Sequence, residues 1–505
     1  GTVLSRGRVR IETSPDPVGA PIFYRDVPLM PAVAKESGVI RPLAGHAIPM
    51  IEWRLKDVTR PESRVVLTDM PTCANCHSFS QDGKTLGMDV DGPQGDKGSY
   101  ALAPVAKNMV IGDDEVITWN DFEDKPKGHK TIGFLSRISP DGQHALTTLN
   151  EAVYVANFEN FRFLQVFFPT RGILAWYSKA TDEMKALPGA DDTEFVHCGP
   201  AWTPDGKTIV FSRARAFDPY EPGKPLATHA GDPNEPRIQY DLYRMPFNEG
   251  RGGTPTPIEG ASANGMSNTF PKVSPDGKWV VFTQCANGQL MRPDGRLWIV
   301  PLEGGEAREM RCNTPLMNSW HSFSPNGRWM VFSSKVNGPY TQMHLTHIDE
   351  DGNDTPAILI PNSTAANRAS NIPEFVNRSY QSMQAIDIPA VDHHVHLQEG
   401  IRLSLDEKFE EAVVQLEQAV EKEPDFRRAL GHLSRALLEL GRVEEARKRL
   451  NEALELDPNL PFVLVSLGVS YMREGDQETA ERYYSAALGA ADDNHIANYN
   501  MAVLR

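Results

Sequence analysis

One short motif recurs five times between residues 75 and 360 and limits what this chain can fold into. Each copy has an apolar or aromatic residue, then Ser or Thr, then in most cases Pro-Asp-Gly and a polar residue. Proline fixes φ, aspartate hydrogen-bonds back to the main chain and glycine accepts a positive φ, so the motif predicts a tight turn. The runs after the turns, rich in β-branched and aromatic residues, predict strands. The copies, 50 to 71 residues apart, are Phe79–Lys84, Ile138–Gln143, Trp202–Lys207, Val273–Lys278 and Phe323–Arg328.

The spacing of the copies leaves room for one four-stranded sheet per repeat, with insertions. The recurring Ser-Pro-Asp-Gly-Lys core resembles the repeats of the TolB-like (PD40-type) propeller family. This resemblance implies a β-propeller, and five copies with one blade completed by N-terminal strands suggest six blades. We expect an extended N-terminal arm over residues 1–60, the propeller over 61–360 and a linker over 361–390.

A second motif, the C-x-x-C-H of residues 73–77, lies directly before the first copy. This is the attachment signature of a covalent c-type haem, because two thiols can add to the two vinyl groups of one porphyrin while the adjacent imidazole binds the iron. A zinc half-site would need two more close ligands, and the three other cysteines form no second C-x-x-C. A thioredoxin-like redox pair would open a helix, whereas a turn follows here. The sequence therefore predicts one haem c held by Cys73, Cys76 and His77.

The sixth ligand of the iron would decide what the haem does. When the copies are aligned on their turns, His77 and His321 occupy the same position, three residues before the serine. We therefore expect the haem over the funnel mouth and His321 as a distal candidate, or else as a polar residue that lines the funnel. His197 is a second candidate or a turn histidine with its own partner, and Met317 is a third or a core residue. An open coordination position is an equally reasonable expectation.

Two further features concern metals and disulfides. The Gly-rich segment 88–98 holds Asp89, Asp91 and Asp96, and several oxygens from one loop suit Ca²⁺, although a solvated acidic turn is the simpler interpretation. Cys285 and Cys312 flank one repeat, so in an oxidising compartment they could form a disulfide. Buried reduced cysteines are the alternative.

The composition changes after residue 390, where a helical period and a second repeat begin. Glu-Ala or Thr-Ala pairs and prolines recur 34 residues apart, and this pattern resembles tetratricopeptide repeats over residues 391–505. The resemblance implies a solenoid that binds a protein partner or a second copy of the chain. The histidines of segment 393–396 are expected on a helix surface rather than in a metal cluster. The elements of the 34-residue pattern are Glu411-Ala412, Glu445-Ala446, Thr479-Ala480, Pro424 and Pro458.

Charge and hydropathy exclude several classes of function. The chain has 67 acidic and 51 basic residues with no basic run, which argues against nucleic-acid binding. It has no run of 18 apolar residues, which argues against a transmembrane helix. Covalent haem attachment takes place outside the cytoplasm, so we expect an extracytoplasmic protein, in the periplasm or an equivalent compartment, with its signal peptide removed. The absence of Gly-x-Ser-x-Gly argues against a serine peptidase.

These features favour a cytochrome c-like electron-transfer and assembly subunit, in which the propeller holds the haem and the repeats dock a partner. A single haem also requires a redox partner protein within reach. The combination is similar to accessory subunits of large respiratory enzymes, of which a nitrite-oxidising complex is one case. The alternatives are a haem enzyme with an open iron site, for nitrogen-oxide or peroxide chemistry, and a scaffold whose haem is structural. A non-catalytic subunit is favoured over an independent enzyme.

Overall fold

The computed structural model of the chain contains a β-propeller followed by a helical repeat region. It describes residues 13–28, 43, 45–92, 96–160, 162–220, 223, 225–490 and 495–504. Six four-stranded antiparallel sheets form the propeller, and seven helices follow within the described residues. The predicted fold class, a six-bladed β-propeller followed by an all-α repeat solenoid, is confirmed.

The blades are sheets of four strands, with one extra pair of short strands. The first blade contains β1 (Ile22–Val27), β2 (Glu52–Lys56) and β3 (Arg64–Leu67). The second contains β4 (Ala74–Phe79), β5 (Thr85–Val90), β6 (Ser99–Pro104) and β8 (Val116–Thr118), with β7 (Asn108–Val110) outside the sheet. The third contains β9 (Phe134–Ile138), β10 (His144–Asn157), β11 (Gln165–Ser178) and β12 (Glu183–Ala186).

The remaining blades follow the same order. The fourth contains β13 (Phe195–Trp202), β14 (Thr208–Arg215), β15 (Asp241–Pro246) and β16 (Thr256–Pro257). The fifth contains β17 (Ser267–Val273), β18 (Trp279–Cys285), β19 (Arg296–Pro301) and β20 (Arg308–Glu309). The sixth contains β21 (Asn318–Phe323), β22 (Trp329–Ser334), β23 (Gln342–His347) and β24 (Ile358–Leu359).

Two late strands return to the start of the propeller. Strand β25 (Ala369–Phe375) pairs antiparallel with β1 and completes the first blade, while β26 (Ala385–Asp387) pairs parallel with β7. The expected linker over 361–390 thus contains an innermost blade strand, and the expected arm over 1–60 contributes β1 and β2. The sequence does not reveal β25 because Val376-Asn377-Arg378 follows it instead of the repeated turn. Both ends of the propeller therefore meet in one sheet.

The repeated motif explains the shape of each blade. Its turn joins the innermost strand to the next strand, and its aspartate accepts hydrogen bonds from within the turn. In the fourth blade, the Thr203 hydroxyl and the Lys207 amide both donate to Asp205 at 2.6 and 3.1 Å, and Gly206 has a φ of 70°. The innermost strands contact one another in a closed ring around a central channel, in the order β4, β9, β13, β17, β21 and β25. All five turns therefore lie at the same end of the channel.

The helical region repeats every 34 residues. The small buried residues Gly400, Ser434 and Gly468 recur at that spacing. The partner helix packs Leu416 against Gly400 and Tyr484 against Gly468. The helices are α1 (Asp392–Leu405), α2 (Phe409–Lys422), α3 (Arg427–Glu439), α4 (Val443–Leu456), α5 (Pro461–Arg473), α6 (Gln477–Ala490) and α7 (His495–Leu504). In the part of the chain that the structure describes, none of the helices has the length and apolar character to cross a membrane.

Helix α1 packs against the propeller. His394 Nε2 lies 3.0 Å from the Gly92 carbonyl oxygen, and Gln398 Nε2 donates to the Pro71 carbonyl. His393 and His394 are buried, and both pack edge-on against Phe426. The expectation that these histidines lie on a helix surface is therefore wrong, because the propeller and α3 cover this side of α1.

Candidate functional site

The C-x-x-C-H motif lies at the innermost strand of the second blade. Cys73 directly precedes β4, and Cys76 and His77 lie within it. The pairing of β4 with β5 shifts register between Ala74 and His77, so the strand bulges at the motif. All five cysteines are free thiols; Cys73 and Cys76 are partly exposed, whereas the other three are buried. The structure thus contains no disulfide between Cys285 and Cys312.

The bulge at Cys76 recurs on every innermost strand. The corresponding residues on the other five strands have positive φ, between 51° and 61°, and register shifts interrupt the pairing beside them. Four of these five residues, all but the glycine, form an apolar cluster across the channel, against which Cys76 packs. These bulge residues are Leu135, Gly199, Phe270, Trp320 and Ile372. Each lies four positions before the serine or threonine of its turn, except Ile372, whose strand β25 lacks that turn. Cys76 is therefore the second blade's contribution to the channel wall.

Polar groups from two elements surround the thiols. Asp89 on β5 hydrogen-bonds with Cys76, and burial raises the pKa of Asp89 to about 8. Burial also raises the pKa of the Cys76 thiol well above its ordinary value. Arg25 on β1 lies close enough to Cys73 and Cys76 for their charges to interact, and its Nη1 donates to Asn75 at 3.5 Å. The Cys76 thiol is therefore neutral at pH 7, and the cation of Arg25 is beside both thiols.

His77 lies on the other face of the same strand. Its side chain is fully buried between the first and second blades, with its ring edge-on to Phe23 at 4.7 Å between centroids. Neither ring nitrogen has a well-formed hydrogen bond among the described residues, although a polar contact with the Asn75 backbone acts on the ring. Burial lowers the pKa of His77 to about 4, so the imidazole is neutral, which is the form that binds metals. An imidazole with two unmet nitrogens is costly in a protein interior unless something binds it.

His321 occupies the matching position on β21 but has a different environment. Its Nε2 donates to the Val281 carbonyl oxygen at 2.9 Å, and its ring packs edge-on against Phe270 at 5.4 Å. Burial lowers its pKa to about 3. Strand β25 lies between β21 and β4 in the ring of innermost strands. His77 contacts the first blade and His321 contacts the fifth, so their rings lie in separate gaps between blades.

The two remaining distal candidates lie elsewhere in the propeller. His197 on β13 is fully buried beside Phe195 and Phe211, and burial lowers its pKa to about 4. Like His77, it has two ring nitrogens with no well-formed hydrogen bond in the described part of the chain. Met317 is fully buried immediately before β21. The structure shows neither residue in contact with the cysteines of the motif.

The three candidate calcium ligands have separate partners. Asp89 hydrogen-bonds with Cys76, and its raised pKa means that it is largely protonated at neutral pH. Asp91 pairs with Lys97 at 3.0 Å. Asp96 accepts hydrogen bonds from the Gly98 amide and from Thr118 and Asn120 side chains. The carboxylates do not converge on one point, and no group of three or more potential metal ligands occurs within the described residues.

The residue types of the motif suit a covalent haem, although the folded strand directs them to different faces. Two free, partly exposed thiols lie three residues apart, and the adjacent imidazole has no well-formed hydrogen bond among the described residues. Thiols and imidazole are the groups that form thioethers and bind iron. Cys76 faces the channel and His77 faces the gap between blades, which is the alternation of a strand. The sequence motif predicts the residue types but not this division between two faces.

Comparisons with known proteins identify the helical repeats and give weaker likenesses for the propeller. Tetratricopeptide repeat family models match residues 403–461 and 463–494. The crystal structure of TolB from Acinetobacter baumannii is 15% identical, with a TM-score of 0.43, and covers 71% of this chain and 66% of that chain. The putative TolB from Agrobacterium tumefaciens is 17% identical, with a TM-score of 0.37, and covers 63% and 95%.

A third structure matches the helical region alone. The first TPR domain of human RPAP3 is 17% identical, with a TM-score of 0.22, and covers 22% of this chain and 88% of that chain. No curated protein matches the chain. The helices are thus tetratricopeptide repeats, and the sheets form a six-bladed propeller.

Proposed function

We propose that the chain is a monohaem electron-transfer and assembly subunit of an extracytoplasmic redox complex. The observation that carries this proposal is the buried, neutral imidazole of His77, whose two nitrogens have no well-formed hydrogen bond among the described residues, directly after two free thiols at haem-attachment spacing. His321, at the matching position of the sixth blade, has a ring hydrogen bond; His197 shares the unmet nitrogens of His77, but only His77 follows two cysteines at attachment spacing.

Each residue of the motif has a definite role in this proposal. Cys73 and Cys76 would hold the haem by thioether bonds, and the His77 imidazole would bind its iron. When bound, the haem supplies one-electron redox chemistry, with a potential that its ligands and its burial determine.

The tetratricopeptide repeats supply the assembly role. Stacked helix pairs present extended surfaces that bind other proteins. Exposed apolar side chains on these helices include Leu405, Val414 and Leu456. Helix α1 forms side-chain hydrogen bonds with the carbonyl groups of Pro71 and Gly92 in the propeller, which precede and follow Cys73 in the sequence. A redox partner or a second copy docked on this region would therefore be held near the haem-attachment motif.

A haem enzyme is the second candidate function. The environment of His321 favours it over an electron carrier whose iron has two protein ligands. His321 uses Nε2 for the Val281 carbonyl, so the leading sixth-ligand candidate already has a partner. If no side chain replaces it, the iron keeps a position for an exogenous ligand such as a nitrogen oxide or a peroxide.

Absorption spectroscopy of the full chain, produced with haem-attachment machinery in the periplasm of a bacterial host, tests the proposal. We expect a c-type spectrum that persists in alkaline pyridine after denaturation, and complete loss of bound haem in the Cys73→Ser/Cys76→Ser variant. Cys285→Ser is the matched control, since Cys285 is buried away from the motif. A wild-type protein without haem, or one whose haem is unaffected by the double substitution, would refute the proposal.

Carbon monoxide distinguishes the two candidate functions in the same samples. A reduced spectrum that does not change with carbon monoxide indicates two protein ligands and favours an electron carrier. A prompt change indicates an open iron position and favours the enzyme. The His77→Ala variant should alter the spectrum in both cases, because its imidazole is the proposed axial ligand.

The assembly role is tested independently of the haem. The Val414→Glu substitution places a charge on an exposed apolar position of α2 and should weaken self-association or partner binding without changing the haem spectrum. Sedimentation velocity over a range of concentrations measures the self-association, and Glu410→Gln on the same helix is the control. If Val414→Glu leaves both self-association and capture of a redox partner intact, the proposed docking role of this surface is wrong.

A further inference from the structure

A second site lies where the innermost strands enter their turns, two residues beyond Cys76 on β4. A pocket of about 220 Å³ opens there, and all six innermost strands contribute to its wall. Each innermost strand contributes to this pocket the residue two positions before its turn serine or threonine, and β25 contributes the residue at the matching place. These residues are Ser78, Arg137, Ala201, Lys272, Ser322 and Glu374. The pocket uses none of the cysteines of the haem-attachment motif.

Three of these wall residues are charged and lie together. Lys272 Nζ is 2.7 and 2.8 Å from the two carboxylate oxygens of Glu374, and Arg137 Nη1 is 3.5 Å from one of them. The three side chains are only 10 to 14% exposed. Two cations therefore share one carboxylate, which leaves one excess positive charge in a largely enclosed place.

Such an excess is unfavourable unless an anion compensates for it. A buried charge without a partner is unfavourable because the protein interior solvates it poorly. The ammonium of Lys272 has three N–H donors, and the Arg137 guanidinium has five. A visiting carboxylate can therefore bind both cations without displacing Glu374.

The size and the outer wall of the pocket restrict the ligand further. Its volume is below the range of about 300 to 1,000 Å³ that is usual for drug-sized ligands, so only a small molecule fits. Phe79, Trp202 and Phe323 line the pocket one residue closer to the turns than the charged group. An apolar or aromatic body would pack against these rings, while a single negative charge would match the single excess positive charge.

We propose that this pocket binds a small monocarboxylate with an apolar body, whose carboxylate pairs with Arg137 and Lys272 and whose body contacts Phe79, Trp202 and Phe323. This site lies beside the proposed haem-attachment motif, since Arg137 donates to the His77 carbonyl oxygen at 3.2 Å, but it uses none of the motif's thiols or imidazole. The ligand class follows from one excess charge, a small volume and an aromatic wall.

Isothermal titration calorimetry of the full chain with benzoate tests this inference. Benzamide, which has the same shape without the charge, and inorganic phosphate, which carries more charge without the ring, are the comparison probes. We expect saturable binding of benzoate, at least tenfold weaker binding of phosphate and no detectable binding of benzamide. Equal binding of benzamide, tighter binding of phosphate or no binding of benzoate would overturn the proposal.

Variants locate the binding in the pocket. Lys272→Met should weaken benzoate at least tenfold, whereas Glu374→Gln should strengthen it severalfold because it removes the competing carboxylate. Lys278→Met, in the turn of the same blade with its side chain 63% exposed, is the matched control and should leave the affinity unchanged. Benzoate affinity that is equal in Lys272→Met and Lys278→Met would refute the assignment. Native tryptophan emission verifies folding, and the Glu374→Gln result remains decisive if Lys272→Met does not fold.

Discussion

The second and sixth blades have nearly the same local sequence at the end of their innermost strands, yet different histidine environments. Cys76-His77-Ser78-Phe79 matches Trp320-His321-Ser322-Phe323. The serines even make the same contact: Ser78 Oγ accepts the Ile138 amide of the next blade at 3.1 Å, and Ser322 Oγ accepts the Phe375 amide at 3.1 Å. The two blades therefore share this serine contact, although Trp320 has a φ of 52° and Cys76 does not have a positive φ.

The difference lies in how each blade satisfies its imidazole. His321 has a hydrogen bond to the Val281 carbonyl, and Trp320 fills the channel beside it. In the second blade, the channel residue is the smaller Cys76, and His77 has two nitrogens without a well-formed hydrogen bond among the described residues. A position that the protein completes in one repeat and leaves incomplete in another is a reason to look for a bound group at the incomplete one.

The largest expected effect comes from leucine substitution of each histidine in haem-free protein. His321→Leu should lower the free energy of unfolding by about 2 kcal/mol, because it leaves the buried Val281 carbonyl without its donor. His77→Leu should leave it unchanged or raise it by up to about 1 kcal/mol, because it removes unmet polar atoms from the interior.

Urea unfolding followed by tryptophan emission measures both variants. All eight tryptophans precede residue 391, so the signal reports on the propeller and not on the helical repeats. Equal losses of stability in the two variants would mean that His77 has an internal partner after all, and the main support for a bound group at this position would be lost. Attached haem should reverse the order, since His77→Leu then removes the proposed iron ligand.

The comparison extends to the residue after the second strand of each blade, where Asp91 matches Lys335. Lys335 is almost completely buried, and its Nζ donates to the Arg162 carbonyl at 2.8 Å. Burial, and then the nearby Arg162 charge, lower the pKa of Lys335 to about 7. The unfolded chain keeps this proton up to its ordinary pKa of 10.5. Between these values the unfolded state binds more protons, so the stability should rise with pH.

The Lys335→Met variant should therefore lose a pH dependence that the wild type shows. From pH 7 to pH 9, the wild-type free energy of unfolding should rise by about 2 kcal/mol more than that of the variant, at about 1.4 kcal/mol per pH unit as an upper limit. Urea titrations at several pH values measure the slope. Lys278→Met, whose side chain is exposed, should retain the wild-type slope. A difference between wild type and Lys335→Met that stays constant with pH would show that Lys335 does not titrate in this range.

The propeller was predictable from sequence because its turns depend on local chemistry that repeats. The Ser-Pro-Asp-Gly copies mark five of the six places where an innermost strand ends, and the 34-residue spacing marks the helical repeats. Strand β25 lacks that turn, and β1 and β2 lie in a Pro-rich stretch, so the closure of the first blade depends on pairing between distant segments. Local patterns do not encode such pairing strongly.

The candidate site was predictable only in its residue types. The C-x-x-C-H motif identifies Cys73, Cys76 and His77, but the bulge that directs Cys76 into the channel arises from the register of β4 on β5. The carboxylates of segment 88–98 are close in sequence, yet Asp89 faces Cys76 while Asp96 binds Thr118 and Asn120. The charged pocket was missed because Arg137, Lys272 and Glu374 belong to three different blades. The sequence feature that could have revealed the pocket is the residue type two positions before each turn, compared across all the copies.

The smallest expected effect concerns Asp91, the counterpart of Lys335. Asp91 pairs with Lys97 at 3.0 Å, but the Lys97 side chain is 61% exposed, so water and salt screen the pair. Asp91→Asn should therefore change the free energy of unfolding by less than about 1 kcal/mol at low ionic strength, and by less still in 0.5 M salt. Urea unfolding at the two salt concentrations measures this, with Lys97→Met as the matched variant. A loss as large as that of His321→Leu would mean that the Asp91 carboxylate supports the loop beside Cys73 through contacts other than this ion pair, such as the hydrogen bond that it accepts from the Thr72 hydroxyl at 3.4 Å. The two matched positions would then differ in charge and burial but not in their importance for the fold.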